Sequence, residues 1–321
     1  MKETTRDYLF DNLKVLLIFL VVFGHLLEKY IDKDMFLRSI YIIIFMFHMP
    51  LFIYVSGYFS KNLDKCRRNA IKDLLVPYIV FNIIWYVSVG EYKFPLYNAG
   101  WTLWYLISLF FFRFFLKDII KVKWVLVLSI ILGLLVGFVN KYNNFLSFTR
   151  TFAFLPFFLL GYYSNNLIVN KIKNCSKIIS ILGLVIIGSF AFIISKYEVI
   201  SYRFLYMFQS YGSFGLGAVQ GVLLRTVFYI LAILISIFLL NLIPNKKFKF
   251  SQIGTDTMLI YLGHIYIIKF LNKYVPVFNW AITDLSILIV FSVLICAFLS
   301  LPIFLKIYNY VFGKINLLID E

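Results

Sequence analysis

Charge is scarce in this chain. Of 321 residues, 14% are Asp, Glu, Lys or Arg and 62% are hydrophobic, with a mean hydropathy of +0.89. Soluble domains carry about 25% charged and about 45–50% apolar residues, so a soluble globular fold is excluded. Acidic residues are the scarcer sign, 15 against 31 basic, for a net charge of +16. In a membrane chain that excess collects in cytoplasmic loops and sets orientation, so it does not argue for nucleic acid as a partner. Cysteine is rare as well. Cys66, Cys175 and Cys296 have no pairing pattern, and no disulfide framework is implied. The chain lacks a Gly-x-Ser-x-Gly elbow, a His-Glu-x-x-His zinc motif and a P-loop. No Cys/His spacing suggests a metal, and none is expected.

What is present is a set of long apolar runs. Read by run length and by charged or Pro/Gly/Asn-rich breaks, they predict an all-α, polytopic integral membrane protein. About ten spans are expected, near 13–31, 39–59, 74–90, 102–116, 124–139, 150–167, 178–195, 216–243, 257–272 and 284–307. No soluble domain fits in a loop, so residues 1–321 form a single membrane-embedded domain. The first run is too long for a signal peptide, and no small-residue cleavage site follows it. With the N-terminus in the cytoplasm, 20 basic residues fall inside and 10 outside. That bias predicts both termini inside.

The polar residues within these runs are the informative ones. His25 lies inside the first run, His48 inside the second and His264 inside the ninth. Ionisable side chains at membrane depth are expensive and mark functional sites by default. Lys14 precedes His25 by 11 residues, which at about 100° per residue brings both to one helix face, roughly 16 Å apart along the axis. Glu28 follows His25 at a spacing of three, on nearly the same face. It either orients the imidazole or caps the outer end of the helix.

The run VVFGH ending at His25, the Arg6-Asp7 pair before it and FHMPLFIYVSGYF from Phe47 to Phe59 resemble the integral-membrane acyltransferase-3 family. Within it, they are most similar to the fucose 4-O-acetylase-like branch. Where family members carry an arginine ahead of the first histidine, this chain has Lys14. Charge is kept and the bidentate fork of arginine is lost. Three further blocks share the resemblance: LLVPYIVFNIIWY, the Arg150…Pro156…Tyr162 stretch, and GTDTMLIYLGH from Gly254 to His264.

The resemblance implies a membrane O-acetyltransferase. Acetyl would pass from cytoplasmic acetyl-CoA to a hydroxyl of a cell-envelope or exported glycan, or a lipid-linked sugar, at the outer face. The location would be a bacterial plasma membrane, with membrane lipid as the surrounding partner. Such transfer needs a base, an oxyanion donor and a way to hold both substrates. His25 is the candidate base, because imidazole titrates near neutrality. His48 takes a positioning role beside Pro50. Arg150 reads either as an interfacial snorkeler or as a donor to hydroxyls or an oxyanion.

Arg67, Arg68 and Lys72, in the basic link KNLDKCRRNAIKD, read either as a headgroup anchor or, with Lys14, as contacts for coenzyme A phosphates. Trp101 and Trp104 read as an interfacial belt or a sugar-stacking platform. Arg225 follows a glycine-rich stretch that is poor for a plain helix, with Gly212, Gly215, Gly217 and Gly221 inside 11 residues. It is expected to face the bundle interior. Arg225 and His264 serve either substrate or helix packing.

A reading from a different class competes with this one. Buried His and Arg and broken helices also serve proton-coupled transporters or exporters of a glycan or lipid-linked sugar. The absence of a repeat between the two halves weighs against it.

The orientation is testable. With the native cysteines replaced, a cysteine at Asn98 or Asn143 should react with an impermeant thiol reagent added outside, and one at Asn174 or Asn245 should not. Reversed labelling would overturn the assignment of sides.

Overall fold

A computed structural model describes residues 8–140, 145–275 and 284–320. The Arg6-Asp7 pair, Lys141 and Asn143 lie outside the described residues. Thirteen α-helices are present among them: α1 Tyr8–Leu27, α2 Met35–Tyr58, α3 Leu63–Ala70, α4 Val76–Ser88, α5 Trp104–Ile119, α6 Val125–Leu135, α7 Phe148–Tyr163, α8 Asn166–Lys173, α9 Lys177–Tyr197, α10 Ala218–Leu242, α11 Thr257–Tyr274, α12 Leu285–Leu299 and α13 Pro302–Asp320. No strand occurs among the described residues; the one extended pairing is an isolated bridge between Asn98 and Phe145. The protein is an all-α membrane protein. Five stretches, including Leu63–Ser88 taken as one, are long and apolar enough to cross a bilayer, and seven if two bent helix pairs each count as one.

The helices follow the apolar runs, with displaced ends. The first is already helical at Tyr8, the first described residue, five residues before its expected start at 13, and the Asn245 side chain accepts from the Leu9 N–H at 3.0 Å. It stops at Leu27, where Tyr30 N–H bonds the Leu27 carbonyl and a turn begins. The last expected span is two helices, α12 and α13, bent by 51°. Pro302 opens α13. It lacks the N–H needed to continue α12 and disfavours helical geometry in the residue before it.

The basic link after α2, read as a loop, is helical. Asn62 caps α3 by accepting from Lys65 N–H, and a π-helical turn, Ile71–Leu75, carries the chain straight into α4. Pro77 therefore sits within a continuous helical stretch, directly after the wide π turn. The glycine-rich stretch is irregular, as its composition predicts. It forms a short 3₁₀ turn, Tyr211–Phe214, with Gly215 at φ +69°.

The chain divides into two compact units. The first comprises Met1–His48, Leu167–Glu198 and Leu234–Glu321. Here the N-terminal end of α1 is pinned by Asn12, only 4% exposed. Its amide donates to the carbonyls of Pro244 at 2.9 Å and Lys246 at 3.0 Å. Its carbonyl oxygen accepts from Ser251 Oγ at 2.5 Å. Gly254 packs directly on the Asp11 backbone, leaving no room for a β-carbon.

The second unit comprises Met49–Asn166 and Val199–Ile233. Its C-terminal part of α2 crosses α7 at two facing glycines. A β-carbon on Gly57 would strike the Phe158 carbonyl, and one on Gly161 would strike the Tyr54 carbonyl. Small residues at such a crossing let the backbones touch, which is the main source of helix association without a hydrophobic driving force. Lys61 then closes the end of α7. Its ammonium bonds the carbonyls of Tyr162 and, at 2.7 Å, of Ser164. A cation suits a helix C-terminus, and partial burial lowers the lysine's pKa.

Gly57→Ala or Gly161→Ala should cost about 1–3 kcal/mol by overpacking. The expected readout is a lower melting temperature in detergent. Gly313→Ala, which meets nothing within 4 Å, should match the native chain. Equal stability of all three variants would remove the crossing as a determinant.

Candidate active site

The first unit gathers His25, Glu28, His48 and His264. His25, on the last turn of α1, has its side chain 11% exposed. Its Nδ1 lies 3.2 Å from Glu28 Oε1. The same oxygen accepts from the Tyr41 hydroxyl at 3.0 Å. Glu28 stands in the turn just after α1, so its carboxylate reaches back over the helix end to the imidazole. A carboxylate only accepts, and this partner places the His25 proton on Nδ1. His25 Nε2 is then the basic nitrogen.

Tyr41 and Phe45, one helical turn apart on α2, were not singled out from the sequence. Their rings stack at 3.9 Å. Phe45 stands edge-on to His25 at 6.1 Å and contacts the His48 ring at 4.7 Å. The approach is permitted by Gly24, where a β-carbon would lie 3.0 Å from the Phe45 ring. A signal was available: Tyr41, Phe45 and His48 repeat at spacings of four and three, one face of a helix.

His48 is 3% exposed, and its Nδ1 faces the Ile44 carbonyl one turn back, at 2.7 Å. It is tied to its own helix. His264 is fully buried, with Nδ1 facing the carbonyls of Ile260 at 3.1 Å and Tyr261 at 2.7 Å. Its ring lies 5.3 Å from that of His25. Lys14 is paired with Asp11 at 3.1 Å. Between Lys14 and His25, Ile18 and Val21 are buried.

The other candidates lie in the second unit. Arg67 donates from Nε to the Phe114 carbonyl at 2.8 Å and pairs with Asp118. Lys117, also near the end of α5, pairs with Asp64 at 2.8 Å. Arg68 is exposed and Lys72 half-buried. This basic surface has cations to offer an anion, although Arg67 already holds a carboxylate. Arg150 is clamped between the rings of Trp104 and Phe208, at 5.0 and 4.9 Å, while its Nε donates to the Tyr206 carbonyl at 3.0 Å. Trp104 stacks on Phe154. Trp101 is exposed and stands edge-on to Trp85.

Arg225, 1% exposed, donates to the Gly133 carbonyl at 2.9 Å and lies 4.7 Å over the Tyr211 ring. Tyr211 donates to the Leu134 carbonyl at 2.7 Å. Together they close the C-terminal end of α6, where a cation is favoured. This gives the buried arginine a structural role without a carboxylate. Among the described residues, no group of three or more His, Cys, Asp or Glu side chains is placed to hold a metal ion.

These features define a helical membrane protein with a half-buried histidine–carboxylate pair, the arrangement that general-base catalysis uses. Comparison with known proteins narrows the class. A family model described as an acyltransferase domain, Acyl_transf_3, matches residues 7–301. The chain belongs to the acyltransferase-3 family. It is similar to nodulation protein NolL of Sinorhizobium fredii, 31% identical over 183 residues, 49% of this chain and 48% of that protein. NolL of Mesorhizobium japonicum is 51% identical over 59 residues, 17% of this chain and 16% of that protein. The chain thus aligns with about half the length of the first relative and far less of the second. No solved structure matches.

Proposed function

We propose that this protein moves an acetyl group from cytoplasmic acetyl-CoA to a hydroxyl of a cell-envelope or exported glycan. The observation that carries the reading is the His25–Glu28–Tyr41 arrangement, in a chain that belongs to an acyltransferase family.

His25 Nε2 takes the proton as the acceptor hydroxyl attacks the thioester carbonyl. Glu28 holds the imidazole through Nδ1 and stabilises the imidazolium that forms. Tyr41 holds the carboxylate in place by donating to it. The new ester C–O bond forms, the C–S bond breaks, and the leaving thiolate recovers the proton from His25. Arg67, Arg68 and Lys72 of the second unit are cations available to coenzyme A phosphates, and Lys14 is a separate candidate cation in the first. Arg150, with its flanking rings, supplies a guanidinium next to an aromatic wall suited to a sugar.

His25→Ala and His25→Gln should each lower acetyl incorporation into surface glycan by about 10²–10⁴-fold, the usual contribution of a general base. Expression and acetyl-CoA binding should persist. His48→Gln should lose less, since that ring is bonded to its own helix. Near-normal activity in His25→Gln beside a dead His48→Gln would exchange the two roles.

The donor contacts have a signed test. Arg67→Ala with Arg68→Ala should weaken acetyl-CoA binding by about 1–3 kcal/mol per charged hydrogen bond lost. Asp118→Ala should strengthen it, because it releases Arg67 from its carboxylate. Unchanged affinity in both proteins would leave the cluster as a headgroup anchor.

A further inference from the structure

The second unit holds a cavity that the acyl-transfer reading does not use. Its volume is about 660 Å³, within the range of about 300–1,000 Å³ usual for ligand sites. α5 and α6 both pack on α7, and the cavity fills the space left between the three helices. Phe112 and Phe115 of α5, Leu128 and Leu132 of α6, and Phe152 and Leu155 of α7 form its walls. Asp118, Ser129 and Thr151 are the polar residues on it. The Ser129 hydroxyl donates to the Leu126 carbonyl of its own helix at 2.7 Å. The Thr151 hydroxyl shares a hydrogen bond with Ser108 at 2.8 Å. A sugar or a nucleotide would lose its water against such walls and gain little in return, so they suit hydrocarbon.

The length suits one chain. The cavity reaches from Asp118, Val122 and Val125, at the α5–α6 turn, to Phe145 and Phe148, where the chain enters α7. α6 has 11 residues, a length of roughly 16 Å. The hydrocarbon of one leaflet is about 15 Å deep, half of a core of about 30 Å.

The end at the α5–α6 turn is charged. Asp118 is held by Arg67 and by Lys121 at 3.1 Å. Lys117, next to it, pairs with Asp64 at 2.8 Å. Lys123 lies 6.0 Å from the centre of the Trp124 ring. Four cations thus stand against two carboxylates. Trp124, between the lining residues Val122 and Val125, is 72% exposed. An exposed tryptophan among lysines is the signature of the headgroup level.

We propose that this cavity holds one acyl chain of an anionic phospholipid, with the phosphate among Lys117, Lys121 and Lys123. Walls and charge point to the same ligand independently. The walls take an unbranched hydrocarbon chain, and the surplus of cations at one end takes an anionic head. A chain enclosed by three helices keeps more of its contacts than one lying on a single convex helix, so this lipid is held and not merely adjacent. It completes the packing between α5 and α6. The inference does not depend on how the candidate active site works.

The test uses the full-length protein in vesicles of equal parts phosphatidylglycerol and phosphatidylcholine. Native mass spectrometry after detergent extraction reads the lipid that stays bound. The native protein should retain one phospholipid per chain. It should favour phosphatidylglycerol by about fivefold for each lysine that engages the head, since one basic residue near an anionic surface contributes about that factor. Leu128 and Leu132 are exposed and line the cavity, so Leu128→Trp with Leu132→Trp should fill it and abolish retention. Ile131→Trp adds the same bulk at an exposed position of α6 and should retain the lipid. Lys117→Gln with Lys121→Gln should keep a lipid but lose the headgroup preference.

Equal retention by the native and filled proteins would overturn the proposal, because the lipid would then sit elsewhere. So would a native protein that retained no lipid, or that retained both lipids equally. Displacement of the lipid by palmitoyl-CoA would overturn it as well, and would make the cavity a site for a long acyl donor. The headgroup comparison on the native protein is decisive even if the filled variant fails to fold.

Discussion

Polar groups inside an apolar bundle must be satisfied by protein, because the surrounding hydrocarbon offers nothing. Each unit answers this constraint in its own way. In the first, Asn12 satisfies three partners at once and ties the first turns of α1 to the segment before α11. His48 spends its proton on its own helix. In the second, Lys61 and Arg225 close the carbonyl ends of α7 and α6, where no carboxylate is needed because the helix end supplies the negative pole. What remains unsatisfied after this accounting is informative. His264 Nε2 is such an atom, and it lies beside the imidazole best placed for proton transfer.

The chemistry depends on how little freedom the basic histidine has. Glu28 fixes the tautomer of His25, and Tyr41 fixes Glu28. Phe45 walls the ring from one side and His264 approaches it within 5.3 Å. α1 is anchored at its far end by the loop before α11. Pinning a helix at one end sets the height of a side chain on its last turn. Positioning of this kind is what converts a buried imidazole into a useful base.

Glycine sets the distances between helices at three places. Gly24 brings α1 against the Phe45 ring, Gly254 brings its loop onto the Asp11 backbone, and Gly57 meets α7 opposite Gly161. All four fall in blocks that carried the family resemblance. In the sequence they were parts of a pattern. In the structure Gly57, Gly161 and Gly254 are backbone contacts that a methyl group would forbid, and at Gly24 a methyl group would press on the Phe45 ring.

Much of the architecture was legible in the chain. Low charge and long apolar runs left only an all-α membrane fold, and the depth of three histidines in those runs singled them out as candidates. The spacing of Glu28 from His25 offered two readings, an orienting partner or a helix cap, and periodicity could not choose between them. The helix ended one residue sooner than Glu28, and only then did the carboxylate fold back onto Nδ1. Tyr41 is in another helix, and its bond to Glu28 depends on how α1 and α2 pack. The basic link became a helix because Asn62 caps it and a π turn joins it to α4. Composition and periodicity act along one chain, so they determine which segments are helical and which residues are costly to bury. Which costly residue satisfies which, and which is left with an open lone pair, is decided between segments far apart in sequence, and only packing brings those together.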